Sequence, residues 1–167
     1  MSTIPVRQGD CTFEEFLDLV EDGQKADLID GVICLASPDN THAGDLTSWL
    51  HVIIGGFVGF HDLGKTYLLR VAYRIGSKRG PEPDIGFVLK AMESQTRRGY
   101  IDAPPALAIE IVSPDSVGRD YVQKRAMYEA AGVQEYWIID PDEARATFLR
   151  LRNGRFEEVQ PIDHIFR

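Results

Sequence analysis

Two acids lie in stretches that otherwise look like buried strands. "ALAIEIV" (residues 106–112) is apolar and rich in β-branched side chains, yet it carries Glu110 near its end. "PDIGFVL" (residues 83–89) carries Asp84 at its start. An unpaired carboxylate is costly to bury, so each needs a partner. Side chains alternate faces along a strand. Ala106, Ala108, Glu110 and Val112 therefore share one face, and Asp84 shares a face with Gly86 and Val88. In both strands the acid has a small neighbour. Two such strands, separated only by a loop, predict a site where two carboxylates meet.

Two close carboxylates repel, and one would hold a proton unless a cation sat between them. Mg²⁺ suits such a pair, because it takes oxygen ligands and uses one or two carboxylates beside water and substrate oxygens. The backbone carbonyl of Ile111 is a further candidate ligand. "GRDYVQKRAMYEAAGV" follows, a predicted helix in which Lys124 stacks with Tyr121, Met127 and Tyr128. If that helix packs on the Glu110 face, Lys124 reaches the carboxylates. Each residue alone has a plainer reading. Glu110 could pair with a structural arginine, Asp84 could simply start a strand, and Lys124 could snorkel to solvent.

The elements that would position these groups follow from pattern. "CTFEEFLDLVED" is a predicted amphipathic helix, with Thr12 and Glu15 as a capping box and Gly23 placed to end it. "ADLIDGVICLAS" is a predicted hairpin turning at Asp30-Gly31. "THAGDLTSWLHVIIGGFVGF" has helical apolar spacing and is expected to be a core helix, its far end blurred by Gly55, Gly56 and Gly59. "TYLLRVAYRI", "PDIGFVL" and "ALAIEIV" are predicted strands, the last two joined by a long polar loop. The helix holding Lys124 is expected to end near Gly132, with Asp120 a possible cap. "EYWIID" is a strand, and "RATFLRLRNGRFEEVQ" a hairpin turning at Asn153-Gly154. This order predicts one α/β (α+β) domain over residues 1–167, with a mixed sheet flanked by helices, an N-terminal helix plus hairpin and a C-terminal hairpin.

Composition narrows the function. With 167 residues, 44% hydrophobic and 26% charged, the chain has the make-up of an ordinary globular domain. No stretch is expected to be long and apolar enough to span a membrane, and "MSTIPVRQGD" lacks a signal-peptide core. A cytoplasmic location is the default expectation. Cys11 and Cys34 are expected as free or buried thiols, and the four histidines lack zinc spacing. A formal net charge of −8 argues against a broad basic surface for nucleic acid. It leaves room for local basic loops at Lys78, Arg79, Arg97 and Arg98, whose plainer reading is solvated charge.

"PEPDIGFVL", "LAIEIVSPDS" and "DYVQKRAMYEAAGVQEYWIIDP" together resemble the Uma-two family of restriction-endonuclease-like proteins, placed in the PD-(D/E)XK nuclease superfamily. The resemblance covers nearly the whole chain. It implies a nuclease fold and a Mg²⁺- or Mn²⁺-dependent site, with the two superfamily acids on Asp84 and Glu110. The superfamily lysine normally follows the second acid by two residues, where this chain has Val112; the resemblance places it instead on Lys124 of the next helix. It also points to Asp27, where the family usually has glutamate, and to His42. The reaction it implies is hydrolysis of DNA phosphodiester bonds, Asp84, Glu110 and the Ile111 carbonyl holding the metal and Lys124 orienting water or countering phosphate charge. Two alternatives stay open: a non-catalytic nucleic-acid- or protein-binding module on a nuclease scaffold, and a phosphodiesterase acting on RNA or another phosphate ester. A homodimer is expected, with the apolar residues of "VQPIDHIFR" as a possible contact.

Overall fold

The computed structural model describes residues 9–21, 23–36, 41–68 and 70–160. Helix α1 (Phe13–Leu19) begins at the expected capping box: the Glu15 N–H donates to Thr12 Oγ1, and the Thr12 N–H donates to Glu15 Oε2 at 2.8 Å. It stops at Val20, short of Gly23, because Val20 is extended. Phe13 and Phe16 pack its buried side on Ala26, Leu28 and Ala72. Strands β1 (Ala26–Ile29) and β2 (Val32–Leu35) form the N-terminal hairpin. Asp30 and Gly31 both have positive φ there, 47° and 80°, as a tight two-residue turn demands.

The centre is a six-stranded mixed sheet in the order β10-β9-β8-β7-β5-β3. Its strands are β3 (Gly64–Leu68), β5 (Ile85–Leu89), β7 (Leu107–Ile111), β8 (Glu135–Asp140), β9 (Arg145–Arg152) and β10 (Arg155–Glu158). Only the β7–β8 pair is parallel, and its crossover carries α3 (Arg125–Ala130). The other pairs in this sheet are antiparallel. The strand expected over "TYLLRVAYRI" is split: β3 joins the main sheet, while β4 (Ala72–Tyr73) pairs in parallel with β6 (Tyr100–Ile101). The long polar loop expected before β7 holds a 3₁₀ turn over Lys90–Gln95 as well as β6.

Parity along β7 sorts the core. Ala108 faces α3 with Tyr128, Tyr136 and Val112, whereas Leu107 and Ile109 face α2 (Thr41–Phe60) through Leu50 and Ile54. Helix α2 runs unbroken to Phe60 despite its glycines. It is not the core helix expected, because only one side reaches the sheet and Trp49, Val52, Ile53, Phe57 and Phe60 are exposed. By length and composition it is also apolar enough to cross a membrane, which corrects the reading that no stretch is. Asp120 caps nothing: it lies buried inside a π-type turn over Arg119–Lys124 that leads into α3. Gly132, at φ 77°, does close α3.

Candidate active site

Strands β5 and β7 bring the two acids together. Ile85 pairs with Ile109, and one further step of that register sets Asp84 opposite Glu110. Residues directly opposite in an antiparallel pair point to the same face, with Cβ atoms about 5 Å apart. Asp84 Oδ2 accepts from the Ile111 N–H at 2.7 Å, which pins its carboxylate to the end of β7. Its other oxygen, Oδ1, receives the Lys25 ammonium at 2.5 Å. Glu110 Oε1 accepts from Lys124 Nζ at 2.8 Å and from the Tyr128 hydroxyl at 3.1 Å. Both acids are buried.

Lys124 is buried as well. Its ammonium lies 2.9 Å from Asp27 Oδ2 and 3.6 Å from Asp120 Oδ1 in addition to Glu110. The π-type turn widens the helix at this point, a deviation common at functional sites. Asp27 is held from three sides: its Oδ1 accepts the Glu82 N–H at 2.9 Å, and Arg119 Nε stands 3.5 Å from its Oδ2. Glu82 in turn accepts the Ala26 N–H at 3.1 Å. These bonds tie the N-terminal hairpin to the strand that carries Asp84.

Burial dominates the electrostatics. It raises the Glu110 carboxyl to about 8, against the opposing pull of Lys124. Burial also lifts Glu82 to about 7. Burial works against the charge of Lys124, but Asp27, Glu110 and Asp120 outweigh it and hold the ammonium above its ordinary value. Besides Glu110, Lys124 has Asp27 as a partner at 2.9 Å. Lys25 is likewise raised: burial opposes its charge, and Asp84 leads the carboxylates that overcome it.

Lys25, Asp27, Asp84, Glu110, Asp120 and Lys124 line a cleft of about 140 Å³, together with the loop Ser113–Ser116 after β7. His42, in the first turn of α2, is exposed on its rim. Among the described residues no group of three or more His, Cys, Asp or Glu side chains forms a ready metal cage. The donors still fit a hard cation. Asp84 and Glu110 are two adjacent carboxylates of the kind a Mg²⁺ ion takes, and each already binds a cationic ammonium at 2.5 and 2.8 Å. Buried Asp120 Oδ1 has no hydrogen-bond partner among the described residues, and its nearest cation is the Lys124 ammonium at 3.6 Å.

The model of the Uma2 family, described as "putative restriction endonuclease", matches residues 13–164. The chain belongs to the Uma2 family. The fold also matches the crystal structure of a protein from Anabaena variabilis, described as a putative nuclease belonging to DUF820, with a TM-score of 0.72. Identity is 23%, and the match covers 90% of this chain and 88% of that one. At that identity it speaks for the fold alone. No match was found among curated proteins.

Within this Uma2 fold, Asp84, Glu110, Lys124 and Asp27 converge on one cleft, with His42 at its edge. Sequence reading missed Lys25, Glu82 and Asp120. Lys25 had a signal: it shares strand parity with Asp27 in "KADLIDG". The basic loops are largely committed elsewhere. Lys78 pairs with Asp10 at 3.2 Å, Arg79 with Asp30 at 2.6 Å, and Arg97 donates to the Ser94 carbonyl at 2.7 Å. The tail of "VQPIDHIFR" beyond residue 160 lies outside the described residues.

Proposed function

We propose that the chain is a metal-dependent nuclease that hydrolyses DNA phosphodiester bonds at the Asp84–Glu110 cleft. The observation that carries this reading is the meeting of those two acids across β5 and β7, with the buried Lys124 ammonium 2.8 Å from Glu110. Asp84, Glu110 and the Ile111 carbonyl would hold Mg²⁺ or Mn²⁺. A divalent cation there supplies phosphate polarisation and a more acidic bound water. Lys124 is the group that orients the attacking water or counters charge on the phosphate oxygens. Asp27 and Asp120 hold that ammonium in place, and Glu82 and Arg119 hold Asp27.

Supercoiled plasmid, single-stranded DNA and RNA, each incubated with Mg²⁺ or Mn²⁺, test the reading. DNA cleavage is expected, falling roughly a hundredfold or more in Asp84→Asn and in Glu110→Gln, the scale on which loss of one preorganised charge-stabilising group acts. Cleavage that survives both substitutions would place the reaction elsewhere. Preference for RNA would shift the substrate. A second reading, a non-catalytic module on the nuclease scaffold, is favoured by the lysines already seated on both acids. Metal binding without cleavage of any of the three substrates would support it.

Lys25 tests whether Asp84 takes part in metal binding. Its ammonium sits on Asp84 Oδ1, so a metal ligated there competes with it. Lys25→Met is expected to bind Mn²⁺ more tightly by about tenfold, the effect of roughly 1.4 kcal/mol of relieved competition. Calorimetric titration with Mn²⁺ reads this directly; unchanged or weaker binding would show that Lys25 and the metal do not share Asp84.

A further inference from the structure

We propose that the outer face of α2 is the interface of a twofold homodimer. Trp49, Ile53, Gly56 and Phe60 follow one another at intervals of four, three and four residues, the spacing of a helix–helix seam. Val52 and Phe57 flank them. Trp49 is 60% exposed, Val52 73%, Phe57 59% and Phe60 86%. The three aromatics alone leave roughly 400 Å² open if each presents about 200 Å² when bare. With the aliphatic neighbours the patch approaches roughly 600 Å², the upper end of what a monomer usually exposes. A standard interface needs about 800 Å² from each partner, so this patch supplies its apolar core and leaves the remainder to a polar rim.

The patch is also built for contact. His61 packs on Phe57 and Phe60, ring centroids 4.5 and 5.0 Å away, which orders the aromatic end of the stripe. Gly56, at its middle, has no heavy atom within 4 Å of where a Cβ would sit, so two helix backbones can approach closely there. Beside the stripe runs an apolar groove of about 410 Å³ between α2 and the sheet, walled by Ile53, Phe57, Phe87, Leu107 and Trp137. It is large enough to take an aromatic ring from the opposing copy.

A second copy fits this face better than a lipid surface. Interfacial helices carry Lys and Arg on their polar side to meet anionic headgroups, and α2 has neither over Thr41–Phe60. The nearby Lys65 and Lys90 are paired with Glu93 and Asp62. The inner side of α2 is packed on the sheet through Leu50 and Ile54, so lipid cannot surround it. A twofold axis places the same patch on itself, as a closed dimer requires.

Sedimentation equilibrium of the full chain tests this. The expected mass is twice the 18.7 kDa of one chain. The double variant Val52→Glu/Phe60→Glu is expected to sediment as a monomer with the circular dichroism of the parent. Gly56→Gln, whose added Cβ has no heavy atom within 4 Å, is expected to weaken association at least tenfold without loss of helix. A parent that is monomeric at about 50 μM, far above a micromolar dissociation constant, overturns the proposal. So does a dimer that survives both variants, or a monomeric parent that floats with neutral or anionic vesicles through the same residues.

Discussion

Lys124→Met is expected to lower the unfolding temperature of the metal-free protein by about 10 °C. Lys124 is the shared counter-ion of Glu110 at 2.8 Å, Asp27 at 2.9 Å and Asp120 at 3.6 Å. Removing one member of a buried ion pair costs about 3–5 kcal/mol, because the remaining charge stays buried without a partner. For a chain of this size each kcal/mol shifts the melting temperature by about 2–4 °C. Arg119, 3.5 Å from Asp27, offsets part of the loss, and so does proton uptake by Glu110. Mn²⁺ should raise the melting temperature of the variant more than that of the parent, because the cation replaces the missing charge. Thermal melts with and without Mn²⁺ check both statements. A variant that melts like the parent would mean that the buried network contributes little to holding α3 on the sheet.

Gly86→Val should be nearly as damaging, for a steric reason. A Cβ at residue 86 would stand 2.1 Å from the Tyr73 hydroxyl oxygen and 2.5 Å from Cζ. Tyr73 cannot swing away easily: it is buried, its N–H donates to the Pro81 carbonyl at 2.9 Å, and its strand β4 pairs with β6. Forcing extra methyl groups into a filled core costs about 1–3 kcal/mol and occasionally more. An expected loss of about 3 kcal/mol would appear as a lower urea midpoint with an unchanged slope. Asp84 lies two residues earlier, at the entry to β5, so Mn²⁺ affinity should fall as well. Gly118→Ala serves as a control, because the added Cβ there meets nothing within 4 Å. Equal loss in both variants would remove the Tyr73 contact as the cause.

The same glycine shows where reading the sequence reached its limit. Strand parity placed Asp84 beside Gly86 and Glu110 beside Ala108, and the register sets those small residues opposite each other. Those small residues do not leave open space beside the acids. Tyr73 fills the space over Gly86, and Tyr128 and Tyr136 pack against Ala108. Small residues mark close approach, but parity does not say what approaches.

The rest of the chain divides the same way. The Thr12–Glu15 capping box and the Asp30-Gly31 and Asn153-Gly154 turns were legible because neighbours in sequence satisfy them. So was the need of Asp84 and Glu110 for partners, because a carboxylate in an apolar strand is costly whatever the rest of the chain does. That Lys124 faces Glu110 depended on which sheet face α3 covers. That Lys25 sits on Asp84 depended on where the hairpin docks, 59 residues away in sequence. Period and composition likewise marked α2 as an apolar helix but could not tell a buried side from a bare one, since both are apolar. Local pattern fixes which side chains share a face of one element. Only packing between elements decides what each face meets, because that choice is made by contacts distant in sequence.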